Sequence, residues 1–259
     1  MSTDATPPAS PETPAKAGCI VRAFIIILPL GLAFMVPMSL WIYYQRKYAP
    51  EEAASHLAPM LQRELNGEDM ARYEQGFSRS IGDRGLSNPD NLKAAASYVE
   101  STMGFANMGY NIQRQDFEAG GQIISNIVAE LPGKKGNKDT VLVVADYDTP
   151  DASDIAAMMC VAHAMVGTSH PHAIRFAAVT QGDTEDPKAN GIEQVAKQLA
   201  ELEIPITAVV LMRPPLKNTP AAWQRAKIIP LAAELKDPTP TPLDMLQRLK
   251  KAVEDAAGE

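Results

Sequence analysis

Four aspartates, Asp146, Asp148, Asp151 and Asp154, leave the end of a short apolar run, residues 141–145. A run of that length, rich in β-branched residues and bounded by polar ones, reads as a buried strand. In open α/β sheets ligands sit beyond the C-terminal ends of strands. Carboxylates there can hold or orient a cation, and the same residue types also build solvated turns and cap the next helix. A second strand-like run, 173–180, ends the same way, in Asp183, Glu185 and Asp186. Histidine and cysteine are scarce. His56 reads as a surface or packing residue and His163 as a packed core residue. His170 and His172 have the i, i+2 spacing of a ligand pair, but they precede the run 173–180, at the end opposite Glu185. Cys19 and Cys160 are too few for a disulfide framework or a cysteine-rich zinc site.

These residues need elements to position them, and hydrophobic patterning supplies them. Of the 259 residues 46% are hydrophobic, as in a globular protein, and a net charge of −7 argues against a nucleic-acid partner. Residues 1–22 form a Pro-rich tail with too little apolar surface to fold. Residues 23–45 follow as a transmembrane helix, uncharged from 23 to 44, long enough to cross a bilayer's hydrocarbon core, with Trp41, Tyr43 and Tyr44 at one end. The membrane lipid around this helix is the first expected partner. Arg22 and Lys16 on one side, against Arg46 and Lys47 on the other, leave its orientation open.

Residues 46–77 read as a helical linker, and 78–259 as one α/β domain. Within it comes a helix that Asn88 or Asp90 could cap, and strand-like runs at 110–117 and 123–131 meet at Gly120-Gly121 as a hairpin. A strand, an apolar helix at 155–166, a strand, a helix at 190–202 and a strand at 206–212 come next. A short strand at 226–231 and an amphipathic helix at 243–256 complete it. Strands alternating with helices predict a mixed, largely parallel sheet flanked by helices.

The order of these segments, over about 120 residues, resembles the zinc-dependent aminopeptidase family that includes the glutaminyl cyclases. The matching stretches are RSIGDRG, GYNIQRQDF, NIVAELPGKKG, VLVVADYDT, DASDIAAMM and RFAAVTQGDTEDPKANGIEQVAKQL, with Gly191 six residues after Glu185. The resemblance implies a metal-bound water attacking a peptide carbonyl, with a glutamate as general base. Carried over, Glu185 is the general base. Asp146 stands where the first zinc-binding histidine belongs, and Asp186 where a ligand glutamate belongs. The bridging aspartate is Asp151 or, alternatively, Asp154, and Asp148 is the carboxylate that orients a ligand. Met212-Arg213 replaces an aspartate ligand, and no histidine follows His172.

A carboxylate-only set of Asp146, Asp151 and Asp186 suits zinc poorly. The expectation is therefore a membrane-anchored, degenerate aminopeptidase-like module without a cofactor, which binds or scaffolds a peptide or protein partner. The alternative is a divergent, zinc-dependent aminopeptidase acting on peptide N-termini. By analogy with the family, the soluble domain lies outside the cytoplasm on a single-pass anchor in the cell membrane.

Overall fold

The computed structural model describes residues 35–42, 61–212, 219–231 and 241–258. The chain divides into two compact units, Met1–Ala53 and Ala54–Glu259. In the first, residues 35–42 are helical and expose Met35, Val36, Met38, Leu40, Trp41 and Ile42. The rest of the segment expected to cross a membrane, 23–45, lies outside the described residues, as does the tail 1–22. Among the described residues no helix is long and apolar enough to cross a membrane.

The second unit is built on six strands: β1 (Asn111–Ala119), β2 (Gln122–Leu131), β3 (Thr140–Asp146), β4 (Ala173–Val179), β5 (Ile206–Leu211) and β6 (Lys227–Pro230). They lie in the order β1-β2-β4-β3-β5-β6. β1, β2 and β4 pair antiparallel, while β4, β3, β5 and β6 run parallel. The mixed, largely parallel sheet is the one the alternating pattern predicts. Gly120 and Gly121, both at positive φ (58° and 75°), make the two-residue turn between β1 and β2, a conformation open to glycine at little cost. Every residue of β3 and β4 is buried, which is why both read as continuous apolar runs rather than alternating ones.

Among the described residues five helices cover the sheet: α1 (Gly67–Gln75), α2 (Pro89–Met103), α3 (Ser153–Ala164), α4 (Gly191–Glu201) and α5 (Pro242–Gly258). Met70, Tyr73, Leu92, Val99, Ile155, Met158, Leu246 and Leu249 place α1, α2, α3 and α5 over one face, against Val143, Phe176 and Ala178. Ile192, Val195 and Leu199 of α4, with Trp223, cover the other face against Leu142, Ala177 and Val209. The expected helical linker, 46–77, is described from residue 61. Met70, Tyr73 and Phe77 of that stretch belong to the same core as the sheet.

α1 starts at Asn66, whose side chain accepts from the Asp69 N–H at 2.7 Å. It continues into a wider π-helical turn, Gly76–Ile81, that was not anticipated. A Cβ on Gly76 would lie 2.6 Å from the Tyr98 ring, so the turn is packed hard onto α2.

The topology selects one end of the sheet. β4 lies on one side of β3 and β5 on the other, so the chain reverses its direction of winding at β3. The C-terminal end of β3 is the switch point where open α/β sheets form crevices. Asp146 closes β3 there, and the loop after β4 arrives beside it.

Candidate functional site: an acidic rim at the sheet's switch point

Asp146 is 5% exposed and lies under the loop that follows β4. A Cβ added to Gly182 would sit 2.5 Å from Asp146 Oδ1 and 2.9 Å from Oδ2, so the loop backbone covers the carboxylate directly. Gly182→Ala has to push the buried carboxylate or the loop aside. A stability loss of about 1–3 kcal/mol in denaturant unfolding is expected, and a variant of unchanged stability would contradict this contact.

The next residues are each held by the backbone around them. Tyr147, fully buried, donates its hydroxyl to Ser125 O at 2.6 Å, and burial raises its pKa. Asp148 accepts from the backbone N–H of Gln181 at 2.8 Å and from its side-chain amide at 2.7 Å, which fixes Gln181 at φ 56°. Asp148 thus ties the β3 loop to the β4 loop. Asp151 is exposed, and its Oδ1 accepts from Ser153 N at 2.9 Å, the first residue of α3. This is an Asx turn into the helix, whose N-cap is Ala152, and such turns are the ordinary work of an aspartate at that place. Asp154 stands one turn position further on, in the first turn of α3. Glu185 and Asp186 are both exposed, and Asp186 Oδ1 accepts from Lys188 N at 3.0 Å in a turn of its own. Glu74, at the end of α1, joins the rim. Burial first, and Asp151 second, hold its carboxyl above the usual range.

Two buried residues that carry no obvious chemistry in the sequence hold the rim in place. The first is Arg84, 2% exposed. Its guanidinium donates to five carbonyls: Nε to Tyr147 O at 2.6 Å, Nη1 to Gly82 O at 3.0 Å and Phe77 O at 3.3 Å, Nη2 to Thr149 O and to Pro150 O at 3.4 Å. It also lies 5.2 Å from the Phe77 ring centroid. Burial lowers its pKa, and Asp148, Asp83 and Asp151 oppose that shift. Arginine stays charged regardless, so the acidic loop wraps an internal cation.

The second is Asn126, fully buried in β2. Its amide donates to Gly191 O and to Gln115 Oε1, each at 2.9 Å, and its oxygen accepts from Thr180 N at 3.3 Å. Asn190 completes the support. It caps α4 by accepting from Glu193 N at 3.1 Å and donates to Gly182 O and Thr184 O at 3.0 and 2.8 Å.

His56 lies outside the described residues, and the other histidines stand elsewhere. His170 and His172 precede β4, at the end of the sheet opposite Asp146, about 20 Å away for strands of this length. His170 Nε2 lies 2.9 Å from Thr168 Oγ1, and His172 Nδ1 lies 3.9 Å from Asp139. His163 is a packed core residue, its Nδ1 3.0 Å from the Tyr73 hydroxyl. Burial pushes the neighbouring Cys160 thiol up to about 12, so it is no nucleophile at neutral pH.

Burial also lowers the His163 pKa from its usual value. A lowered folded-state value means that its contribution to stability is complete above about pH 6.5, the unfolded value. It is lost as pH falls through that value towards the folded one. The melting temperature is expected to fall between pH 7 and pH 5, and less so in His163→Gln. Equal falls in both proteins would contradict it.

Zinc is the metal that the resemblance implies. Among the described residues no three His, Cys, Asp or Glu side chains gather as a metal would require. Asp146 is covered by Gly182, and Asp151 and Asp186 each serve a separate backbone turn. The residues described do not fit a zinc site of the expected composition, and Arg213 lies outside them.

No family model matches the chain. No curated protein matches it either. Solved structures do. The aminopeptidase LapA of Legionella pneumophila is 16% identical over 62% of this chain and 45% of its own, with a TM-score of 0.47. A glutaminyl cyclase of Fimbriiglobus ruber is 18% identical over 58% of this chain and 62% of its own, with a TM-score of 0.45. A Zn-dependent exopeptidase of Parabacteroides distasonis is 17% identical over 57% and 61%, with a TM-score of 0.46. The chain spans from under half to about three fifths of the length of these structures. At such similarity, function has to be argued from the residues themselves.

Proposed function

We propose that the protein is a membrane-anchored binding module, an aminopeptidase-like domain whose acidic rim captures a positively charged amine, such as a peptide N-terminus, without hydrolysing it. The observation that supports this most is how the aspartates are used. Asp148, Asp151 and Asp186 accept hydrogen bonds from backbone N–H groups, and Asp146 is buried under Gly182, so these carboxylates brace a loop surface. What that surface offers a ligand is negative potential at a switch-point crevice.

Binding of a free-amine peptide, against its N-acetylated form, tests the reading. The full-length protein in detergent should bind the free amine more tightly, by about tenfold for one added charge contact. Asp151→Asn together with Glu185→Gln should remove the preference. Equal binding of both peptides would overturn it.

The alternative, a divergent metallo-aminopeptidase with Glu185 as base, draws on the same resemblance. It predicts amino-acid release from an aminoacyl reporter substrate that Glu185→Gln abolishes, an outcome that a binding module does not give.

A further inference from the structure

The end of the sheet opposite the acidic rim carries a lysine-rich turn. The turn between β2 and β3 exposes Lys134, Lys135 and Lys138. Lys134 N donates to His170 O at 2.8 Å, which brings this turn against the loop before β4. His172 N donates to Ala257 O at 3.3 Å, so the end of α5 meets the same place. There a groove of about 610 Å³ opens between α5, the end of α3 and residues 62–65, lined among others by Arg63, Lys250, Lys251 and Glu254.

Six cations therefore share this end. Glu64, Asp69, Asp139, Glu254 and Asp255 are interspersed, and Lys250 and Arg63 are paired, 3.2 Å from Glu254 and 3.3 Å from Asp69, so the excess of positive charge lies in the turn where Lys134, Lys135 and Lys138 stand beside Asp139. Glu201 and Glu203 lie at the same end but beyond α4, on the other face of the sheet. Three exposed lysines in one turn stand out on a chain of net charge −7. Residues 62–65 border the groove.

We propose that this basic end rests on anionic lipid headgroups. Arg63, Lys134, Lys135, Lys138, Lys250 and Lys251 would provide the contacts, and the acidic rim would face away from the membrane. The proposal rests on the membrane-anchored reading of residues 23–45. Charge complementarity supports it: lysines near an anionic surface are attracted over about a Debye length, and the carboxylates of the rim are repelled from it. One orientation of the domain then follows from electrostatics, with the rim presented to soluble ligands.

The full chain is reconstituted with vesicles of phosphatidylcholine, alone or with about a third phosphatidylserine. A water-soluble amine reagent then labels exposed lysines, which are quantified by mass spectrometry. Lys134, Lys135, Lys138 and Lys251 are expected to label at least about threefold less on the anionic vesicles, with the difference erased near 1 M salt. Lys93 and Lys188 should not change. Lys134→Glu with Lys250→Glu, both away from the core, should abolish the protection of Lys135 and Lys138. Equal labelling on the two vesicle types overturns the proposal.

Flotation with pure phosphatidylcholine reports the anchor separately. A chain that fails to float there but floats, with these lysines protected, on anionic vesicles retains the patch without the anchor. A chain that floats on neither overturns both.

Discussion

Replacing Arg84 with methionine is expected to lower the unfolding free energy by about 3–5 kcal/mol. Methionine keeps the length and the contact with Phe77 but removes every donor. The carbonyls of Phe77, Gly82, Tyr147, Thr149 and Pro150 then lose their partner at once. A buried carbonyl left unmade costs about 1–3 kcal/mol, and those near the surface recover part of it from water. Lysine should rescue little, because one ammonium cannot fork towards carbonyls on both sides. Three of the five carbonyls belong to the loop that carries Asp148 and Asp151. The same substitution should therefore weaken amine binding even at temperatures where the protein stays folded. Chemical denaturation with an amine-binding assay checks both, and a variant as stable as the parent would remove Arg84 from its place in this account.

Gly191→Ala should be nearly as damaging. A Cβ there would lie 2.3 Å from Thr180 O, 2.6 Å from the Asn126 oxygen and 3.1 Å from Thr180 N. Two of the three are backbone atoms, and the third belongs to a fully buried amide, so nothing at the end of a flexible chain can step aside. The Gly191 N–H also donates to Thr180 O at 3.1 Å, which keeps the two segments in close approach. Relief requires α4 to move off the end of β4, breaking the Asn126 contacts to Gly191 O and Thr180 N. Overpacking of this kind costs about 3 kcal/mol or more, visible as a lower denaturant midpoint with an unchanged slope. Alanine is otherwise a better helix former than glycine, so a stabilised variant would show that the close approach is absent in solution.

Much of the scaffold was legible because its signals are local. β3 and β4 are buried on both faces and appear as unbroken apolar runs. Two adjacent glycines mark the hairpin, and α4 carries an asparagine cap before an apolar stripe. The acidic rim was legible too, since Asp146 and the cluster after β4 end two neighbouring parallel strands.

What the sequence hid is long-range. Arg84 finds three of its five partners more than sixty residues away, and they are carbonyls, which every residue possesses. Asn126 looks like one polar residue in an apolar strand, and only the fold brings Thr180 and Gly191 to it. Gly191 stands out in the sequence only by its spacing from Glu185, whereas its physical role is contact with Thr180. The π-turn after α1 depends on the Tyr98 ring packing against Gly76, which no local propensity encodes. The choice between Asp151 and Asp154 at the centre of the rim is not made by spacing either. The structure gives Asp151 a turn bond to Ser153 N and Asp154 a place in the first turn of α3.

Metal content bears most directly on the central claim that the rim binds without catalysing. The full-length protein is loaded with zinc in detergent, desalted and measured for bound metal, and the same sample is offered an aminoacyl reporter substrate. With the carboxylates braced against backbone turns, zinc retained should be below about a tenth per chain, with no turnover. About one or more tightly held zinc ions per chain, with turnover abolished by Glu185→Gln, would contradict the account and make the rim a metallopeptidase active site.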